Sequence, residues 1–129
     1  IADRVEKNSK APKKHVKVYR PWGWFEVLEI GKFFQIKKLH VKPKEKLSFQ
    51  FHNKRAEFWA VVKGTASIRQ ENKEFDLSVG DSIHIAQGEK HSLANHTDDD
   101  LEVIEVQSGK YFGEDDIVRL EDIYGRIKQ

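Results

Sequence analysis

Three residue types that bind metal ions lie within eight residues of one another, at Gln50, His52 and Glu57. A second segment, residues 80–95, adds His91. Imidazole nitrogens and carboxylate oxygens bind divalent ions such as Zn²⁺, Mn²⁺, Co²⁺ and Fe²⁺, and an amide oxygen is an acceptable further donor. Because the chain contains no cysteine, thiolate ligation is excluded. We predict that these four side chains hold one divalent ion, with Zn²⁺ as the expected metal.

Short segments rich in β-branched and aromatic residues, separated by turn signals, fill the chain from Val16 onward. No helical segment interrupts them, which indicates an antiparallel sandwich or barrel. The predicted strands are Val16–Tyr19, Trp24–Ile30, Phe33–Val41, Leu47–His52, Phe58–Val62, Ala66–Gln70, Glu74–Leu77, Asp81–Ile85, His91–Asn95 and Leu101–Gln107.

The strand Leu47–His52 alternates between an apolar face and a polar face that carries Ser48, Gln50 and His52. In an ordinary sandwich the polar face would meet solvent. Two potential ligands at positions i and i+2 stand side by side on one face of a strand, so we favour a barrel with an inward polar patch. His84 lies inside another predicted strand and is expected to point away from the site. His15, His40 and His96 are interpreted as structural or surface residues.

Both ends of the chain differ from this pattern. Residues 1–14 are rich in lysine and lack periodicity, so we predict a basic flexible leader or linker, followed by one domain over residues 15–129. The run from Glu114 places acidic residues before an apolar stripe at Ile117, Leu120, Ile123 and Tyr124. This order predicts one short C-terminal helix on the outside of the β domain.

Composition narrows the class of partner. Residues 1–20 hold seven basic and two acidic residues, whereas the remainder holds 16 basic and 19 acidic residues. A slightly acidic body argues against a nucleic-acid partner. The sequence contains no apolar run of roughly 18 residues and no secretory leader, which argues against membrane insertion and secretion. The absence of cysteine suits a reducing cytoplasm, which is the expected location.

The spacing of the two ligand segments resembles the paired motifs of the cupin superfamily, a small β-barrel that holds one metal. Gln50 stands where the first motif usually has a histidine, and Lys44 and Ala86 replace a Gly and a Pro at turn positions. A more specific resemblance extends from residue 19 to near the end of the chain. It is carried in order by 19–23 (YRPWG), 47–52 (LSFQFH), 55–57 (RAE), 63–66 (KGTA), 104–109 (IEVQSG), 113–119 (GEDDIVR) and 121–126 (EDIYGR).

These segments are similar to the type II mannose-6-phosphate isomerase domain, often the C-terminal part of a bifunctional protein with mannose-1-phosphate guanylyltransferase. The resemblance implies a cupin-type antiparallel β-barrel, or jelly roll, that interconverts mannose 6-phosphate and fructose 6-phosphate for polysaccharide synthesis. Such an isomerisation passes through an enediolate, whose charge a divalent ion stabilises. The phosphate needs a cation. We expect Arg55, Lys54, Lys90 and Arg119 to be the candidates for substrate binding, and Arg55, Lys54 and Arg119 for catalysis.

Two positions depart from the family. Histidines usually stand near Lys54 and Phe58, and if either one acts as acid or base the isomerase activity would be weakened. A non-catalytic module that binds metal and sugar phosphate is therefore the alternative, followed by an assembly domain beside a nucleotidyltransferase. The aromatic residues Trp22, Trp24, Phe25, Phe33 and Phe34 predict either a homodimer interface or ordinary core.

Overall fold

The computed structural model describes residues 16–120, which form two antiparallel β-sheets that face each other. The strands of this part of the chain are β1 (Lys17–Arg20), β2 (Gly23–Ile30), β3 (Phe34–Val41), β4 (Gln50–His52), β5 (Arg55–Lys63), β6 (Ala66–Gln70), β7 (Lys73–Leu77), β8 (Ser82–Ile85), β9 (His91–Ala94), β10 (Leu101–Gly109) and β11 (Ile117–Arg119).

One sheet has the order β1-β2-β3-β10-β5-β8 and the other has the order β11-β4-β9-β6-β7. Strand β10 lies near the centre of the larger sheet, between β3 and β5. Its residues alternate between buried and half-buried positions from Leu101 to Gln107. The buried positions face the second sheet, so Glu105 and Gln107 continue the inward row that Leu101 and Val103 begin.

The apolar core fills the space between the sheets. It contains residues from both sheets, namely Trp22, Leu39, Val41, Trp59, Val61, Ala66, Ile68, Leu77, Ile85, Leu93, Leu101 and Val103. Burial of such side chains contributes roughly 1.5–3 kcal/mol each. This core occupies one part of the interior, and polar side chains occupy another part.

All ten predicted strands are present, with shifts of a few residues at their ends. The predicted C-terminal helix is wrong over Ile117–Arg119, which forms β11 after a single 3-10 turn at Glu114–Asp116. Strand β11 pairs in antiparallel fashion with the edge of β4, where Ile117 lies opposite His52. The Asp116 carboxylate accepts hydrogen bonds from the backbone N–H groups of Asn53 and Lys54, which fixes the turn. The rest of the predicted helix, residues 121–129, and the predicted leader lie outside the described residues.

The predicted aromatic cluster divides between core and surface. Trp22 is buried, Trp24 stacks on the buried His40 ring at 3.7 Å, and Phe25 packs against the core. Phe33 and Phe34 remain 54% and 38% exposed. Within residues 16–120, no helix has the length and apolar character needed to cross a bilayer.

Candidate metal centre

Three of the four predicted ligands meet between the sheets. His52 ends β4, Glu57 lies in β5 and His91 begins β9. All three are inward residues of their strands, and their exposed fractions are only 2%, 2% and 1%. One potential ligand atom from each residue lies within 4.8 Å of the others. The fold therefore brings two imidazoles and one carboxylate into a group that can hold a metal ion.

The carboxylate of Glu57 lies close to both imidazoles. His52 Nε2 lies 3.1 Å from Glu57 Oε2, and His91 Nε2 lies 3.8 Å from Glu57 Oε1. Ligands about 2.1 Å from a Zn²⁺ ion stand roughly 3.4 Å apart at the corners of a tetrahedron. Both distances lie near that value, and they reach different oxygens of Glu57.

The hydrogen bonding of His91 favours one ring nitrogen as the ligand. Its Nδ1 lies 2.8 Å from the carbonyl oxygen of Glu89, to which a protonated Nδ1 donates. Nε2 then carries the lone pair, and this buried atom has no hydrogen-bond partner. Metal-binding histidines are typically held in this way through the opposite nitrogen. The unpaired Nε2 is thus an observation that supports the fit of a metal. Burial, the largest influence, lowers the pKa of His91 and favours the neutral ring that ligation requires.

Gln50 stands beside this group. It pairs with His91 in the antiparallel register of β4 and β9, so their side chains project from the same face of the sheet. It also shares that face with His52, two residues along the strand. The amide is therefore on the correct side of the sheet to act as a fourth donor, as the sequence predicts.

Arg55 binds the carboxylate of Glu57. Its Nε and Nη2 atoms both lie 2.9 Å from Glu57 Oε2, and Nη2 lies 3.3 Å from His52 Nε2. Burial alone would raise the pKa of Glu57, but the hydrogen bond from His52 and the charges of His52, His91 and Arg55 outweigh it and lower that pKa well below its ordinary value. Glu57 is accordingly an anionic donor.

A buried hydrogen-bond network extends from Glu57 across β5 and β10. Trp59 Nε1 lies 3.0 Å from Glu57 Oε1 and 3.1 Å from Glu105 Oε2, while Gln107 donates to Glu105 Oε1 at 2.8 Å. Gln35 in turn donates to Gln107 at 3.0 Å. Burial and the neighbouring Glu57 charge raise the pKa of Glu105 to about 8. The network therefore places a neutral carboxyl beside an ionised one.

A cavity of about 60 Å³ opens beside this network, between the two sheets. Its charged and amide residues come from both sheets and from the segment before β11. They are Arg20, Lys37, Gln50, Arg55, Glu105, Gln107, Glu114 and Arg119, and its other walls are Trp22, Phe25, Leu39, Leu47, Ser48 and Ile117. Four cations against two carboxyls make this cavity suited to an anionic ligand.

A family profile described as mannose-6-phosphate isomerase C-terminal matches residues 7–122. The chain belongs to this family. The alginate biosynthesis protein AlgA of Pseudomonas aeruginosa is 50% identical over 115 residues, which are 89% of this chain and 24% of AlgA. Mannose-1-phosphate guanylyltransferase ManC of Salmonella typhimurium is 46% identical over 113 residues, which are 88% of this chain and 24% of ManC. The chain thus spans about a quarter of the length of these relatives, and it matches their C-terminal part.

Solved structures support the predicted fold. Oxalate decarboxylase from Bacillus subtilis has a TM-score of 0.72 at 18% identity, covering 82% of this chain and 30% of that protein. KdgF from Halomonas sp. has a TM-score of 0.70 at 16% identity, covering 75% of this chain and 90% of KdgF. The two-sheet topology and these similarities confirm that this member of the isomerase C-terminal family is a cupin-type barrel.

The predicted phosphate-binding cations separate into two groups. Arg55 and Arg119 line the cavity, whereas Lys54 and Lys90 are exposed and do not. Lys54 Nζ lies 4.9 Å from the centre of the Tyr111 ring instead. Sequence reasoning missed Arg20 and Lys37, which line the same cavity. For Lys37 a signal existed, since strand parity places it on the face of β3 that carries Leu39 and Val41.

Both departures from the family lie away from the cavity. Phe58 is 42% exposed and stands opposite His84 and Val106 on the outer face of the six-stranded sheet. His84 accordingly points away from the metal group, as expected. Lys54 precedes β5 at the surface, with its backbone N–H bound to Asp116. Among the other histidines, His40 is a buried structural residue between Glu102 and Asp100, His96 is exposed, and His15 lies outside the described residues.

Proposed function

We propose that this domain is a metal-dependent mannose-6-phosphate isomerase, which interconverts mannose 6-phosphate and fructose 6-phosphate. The observation that carries the proposal is the buried group of His52, Glu57 and His91 beside a cavity lined by four cations. The family to which the chain belongs favours the same reaction. Zn²⁺ is the ion that the donor set suits best, with Gln50 as the fourth ligand; Mn²⁺, Co²⁺ and Fe²⁺ are alternatives.

A bound divalent ion would supply electrostatic stabilisation of the negative charge that develops on the substrate oxygens. The residues of the chain have separate tasks. Arg55 holds the Glu57 carboxylate in place through Oε2, and Trp59 holds the other oxygen. Gln50 and Gln107 present amides to the cavity, where they can orient sugar hydroxyls. Trp22, Leu39 and Leu47 form an apolar wall that limits the access of water.

The phosphate is assigned to the more exposed side of the cavity. A cavity of about 60 Å³ is too small to enclose a whole hexose phosphate, so part of the ligand would lie outside it. Arg119 in β11 and Arg20 in β1 are half-buried there, and the Arg20 side chain is 26% exposed. Guanidinium groups bind phosphate through paired hydrogen bonds, which suits both residues to this role.

The relatives suggest the setting of this activity. Because the chain matches a quarter of a guanylyltransferase and of an alginate biosynthesis protein, we propose that it acts beside a nucleotidyltransferase domain or protein. Mannose 6-phosphate formed in the cavity would then supply activated mannose for polysaccharide synthesis in the cytoplasm. The exposed Phe33, Phe34 and Phe58 suit a homodimer contact, with no role for nucleic acid or membrane.

A coupled assay in both directions tests the proposal. Protein loaded with Zn²⁺ should convert each hexose phosphate into the other, lose the activity on chelation and regain it when the ion is restored. Glu57→Gln and His91→Gln should lower activity and ion affinity together. His84→Gln, which changes an exposed histidine outside the site, is the matched control and should retain both. Metal-loaded, folded protein that turns over neither substrate would refute the isomerase, and calorimetric binding of mannose 6-phosphate without turnover would assign the domain to ligand binding.

A further inference from the structure

Lys37 projects into the cavity from the larger sheet. It lies in β3 directly opposite Glu105 of β10, and both side chains are on the inward face. The same cavity is lined by Gln50 and Arg55, which connect it to the metal group. Lys37 is therefore placed where a ligand in the cavity would contact its ammonium group and Gln50, the predicted fourth metal ligand.

The ammonium group contacts an aromatic ring and has no carboxylate partner among the described residues. Its Nζ lies 4.3 Å from the centre of the Phe25 ring. Among residues 16–120, no carboxylate oxygen lies within 4.0 Å of it, although Glu105 is its strand neighbour. A long side chain with an aromatic contact and no ion pair can swing toward a bound ligand. Its amine is thus available for chemistry.

The burial of Lys37 favours the neutral amine, although most of the neighbouring charges favour the ammonium form. Burial, the largest influence, lowers its pKa; Glu105 opposes this change, and Arg55 adds to it. Glu57 and Glu114 also raise the pKa, but the net direction is downward. Arg20 and Arg119 complete the charged lining of the cavity.

The other ionisable groups of the cavity are poorly suited to move a proton. Guanidinium groups carry only hydrogen-bond donors and have no acceptor site for a proton. The raised pKa of Glu105 also suits proton transfer, but hydrogen bonds from Trp59 and Gln107 hold both of its oxygens in place. Glu114 is tied to Arg20 at 3.0 Å, and the hydrogen bond from Arg20 lowers its pKa, which makes it a weaker base. The Lys37 side chain, by contrast, makes no hydrogen bond or ion pair with the described residues, and its amine can both accept and return a proton.

We propose that Lys37 is the catalytic residue that transfers the proton between C2 and C1 of the open-chain sugar phosphate. This inference rests on the proposed isomerase function and names the base that sequence reasoning left unassigned. Lysine serves as a general base when its surroundings favour the neutral form.

The proton transfer balances without any co-reactant. Neutral Lys37 takes the C2 proton of mannose 6-phosphate; the C–H electron pair forms the C1=C2 bond, and the carbonyl π electrons move to O1. A proton passes from O2 to O1. The O2 electrons then form the C2 carbonyl as C1 takes the proton back from the Lys37 ammonium, which gives fructose 6-phosphate and restores the amine.

Variants at two adjacent lysines test the assignment. Lys37→Arg keeps a cation but has no usable base, and Lys37→Ala leaves space for an added amine. Lys38 is the matched control, because it projects from the opposite face of β3 and lies 3.7 Å from Glu102. Each variant is loaded with Zn²⁺ and checked for folding by circular dichroism. Binding of mannose 6-phosphate is measured by calorimetry, and exchange of the C2 proton with deuterated water is followed by nuclear magnetic resonance.

The expected result is that Lys37→Arg binds mannose 6-phosphate nearly as well as the wild type but loses turnover and proton exchange by about 10²–10⁴-fold. Lys38→Met should keep both. Methylamine should restore part of the Lys37→Ala rate, and more basic amines should restore more, which a structural role does not predict. If the wild type turns over and the Lys37→Arg variant is also active, the role of Lys37 is refuted while the isomerase function stands. The same holds if the wild type turns over and amines restore no activity to Lys37→Ala. Absence of turnover in the metal-loaded wild type would overturn the isomerase function as well.

Discussion

Arg55 and Glu57, two residues apart on the inward face of β5, form a 2.9 Å salt bridge that is almost entirely shielded from solvent. The guanidinium engages one carboxylate oxygen through two of its nitrogens. Trp59 engages the other oxygen. The carboxylate is therefore fixed in orientation and kept ionised, both of which a metal ligand requires.

Replacement of Arg55 by Met should destabilise the metal-free protein by about 3–5 kcal/mol, because an uncompensated buried carboxylate remains. Urea denaturation provides the measurement. Added Zn²⁺ should recover part of the loss by compensating Glu57. Arg20→Met is the control for charge removal, since the half-exposed Arg20–Glu114 pair should contribute only about 0–1 kcal/mol. Equal losses in the two variants would contradict the account of Glu57.

Glu105 should make stability fall as the pH rises. Burial raises its pKa from 4.5 in the ordinary state to about 8 in the fold, so folded protein keeps a proton that the unfolded chain has released. Its contribution is therefore complete below about pH 4.5 and is lost as the pH approaches 8. Glu105→Gln mimics the protonated carboxyl and should remove this loss, which makes the variant relatively more stable at pH 8 than at pH 5. Urea titrations at both pH values provide the measurement. If the stability difference between the variant and the wild type is the same at pH 5 and pH 8, the raised pKa of Glu105 is refuted.

Lys44 adopts a left-handed conformation with φ of +67°, at the position where the cupin motif usually has Gly. A non-glycine residue there carries a strain of roughly 1–2 kcal/mol. Lys44→Gly relieves it, at an entropic cost of about 0.5–1 kcal/mol, and should be stabilising by about 0.5–1 kcal/mol in thermal denaturation. The exposed contacts of Lys44 with His96 and Asp98 offset little of this gain. Lys42→Gly is the control, because it relieves no such strain and should be destabilising. An equal gain in stability in Lys42→Gly would contradict the strain at Lys44.

Restoring the histidines that the family usually carries should change little. Phe58 faces outward and Lys54 lies at the surface, so Phe58→His and Lys54→His should leave zinc affinity and turnover within about twofold of the wild type. Calorimetry with Zn²⁺ and the coupled isomerase assay provide both numbers. A large gain in activity in either variant would show that these positions take part in the reaction.

The sequence predicts most of the strands because their apolar alternation is a local property. Strand β11 was missed because its pairing depends on the edge of β4, more than sixty residues earlier in the chain. In the sequence, the acidic residues from Glu114 onward precede apolar residues at helical spacing, and this order favours a helix. The turn at Asp116 replaces it because that carboxylate binds two backbone N–H groups of a distant loop.

The meeting of His52, Glu57 and His91 was predictable because spacing and strand parity both select these residues, and the assignment of Gln50 as a fourth ligand stays a prediction. The cavity was not, since its walls come from segments far apart in the chain. Lys37 and Glu105 have residue types that usually meet solvent. Only the register of β3 with β10 shows that both turn inward beside the metal group.

Anomalous diffraction at the zinc edge, from crystals of Zn²⁺-loaded protein, locates any ion that His52, Glu57 and His91 hold. We expect one ion per chain, about 2.0–2.2 Å from His52, Glu57 and His91 Nε2, with the Gln50 amide oxygen as a further ligand. A map with no peak between these three side chains, at a zinc concentration that saturates the protein in solution, would contradict this expectation.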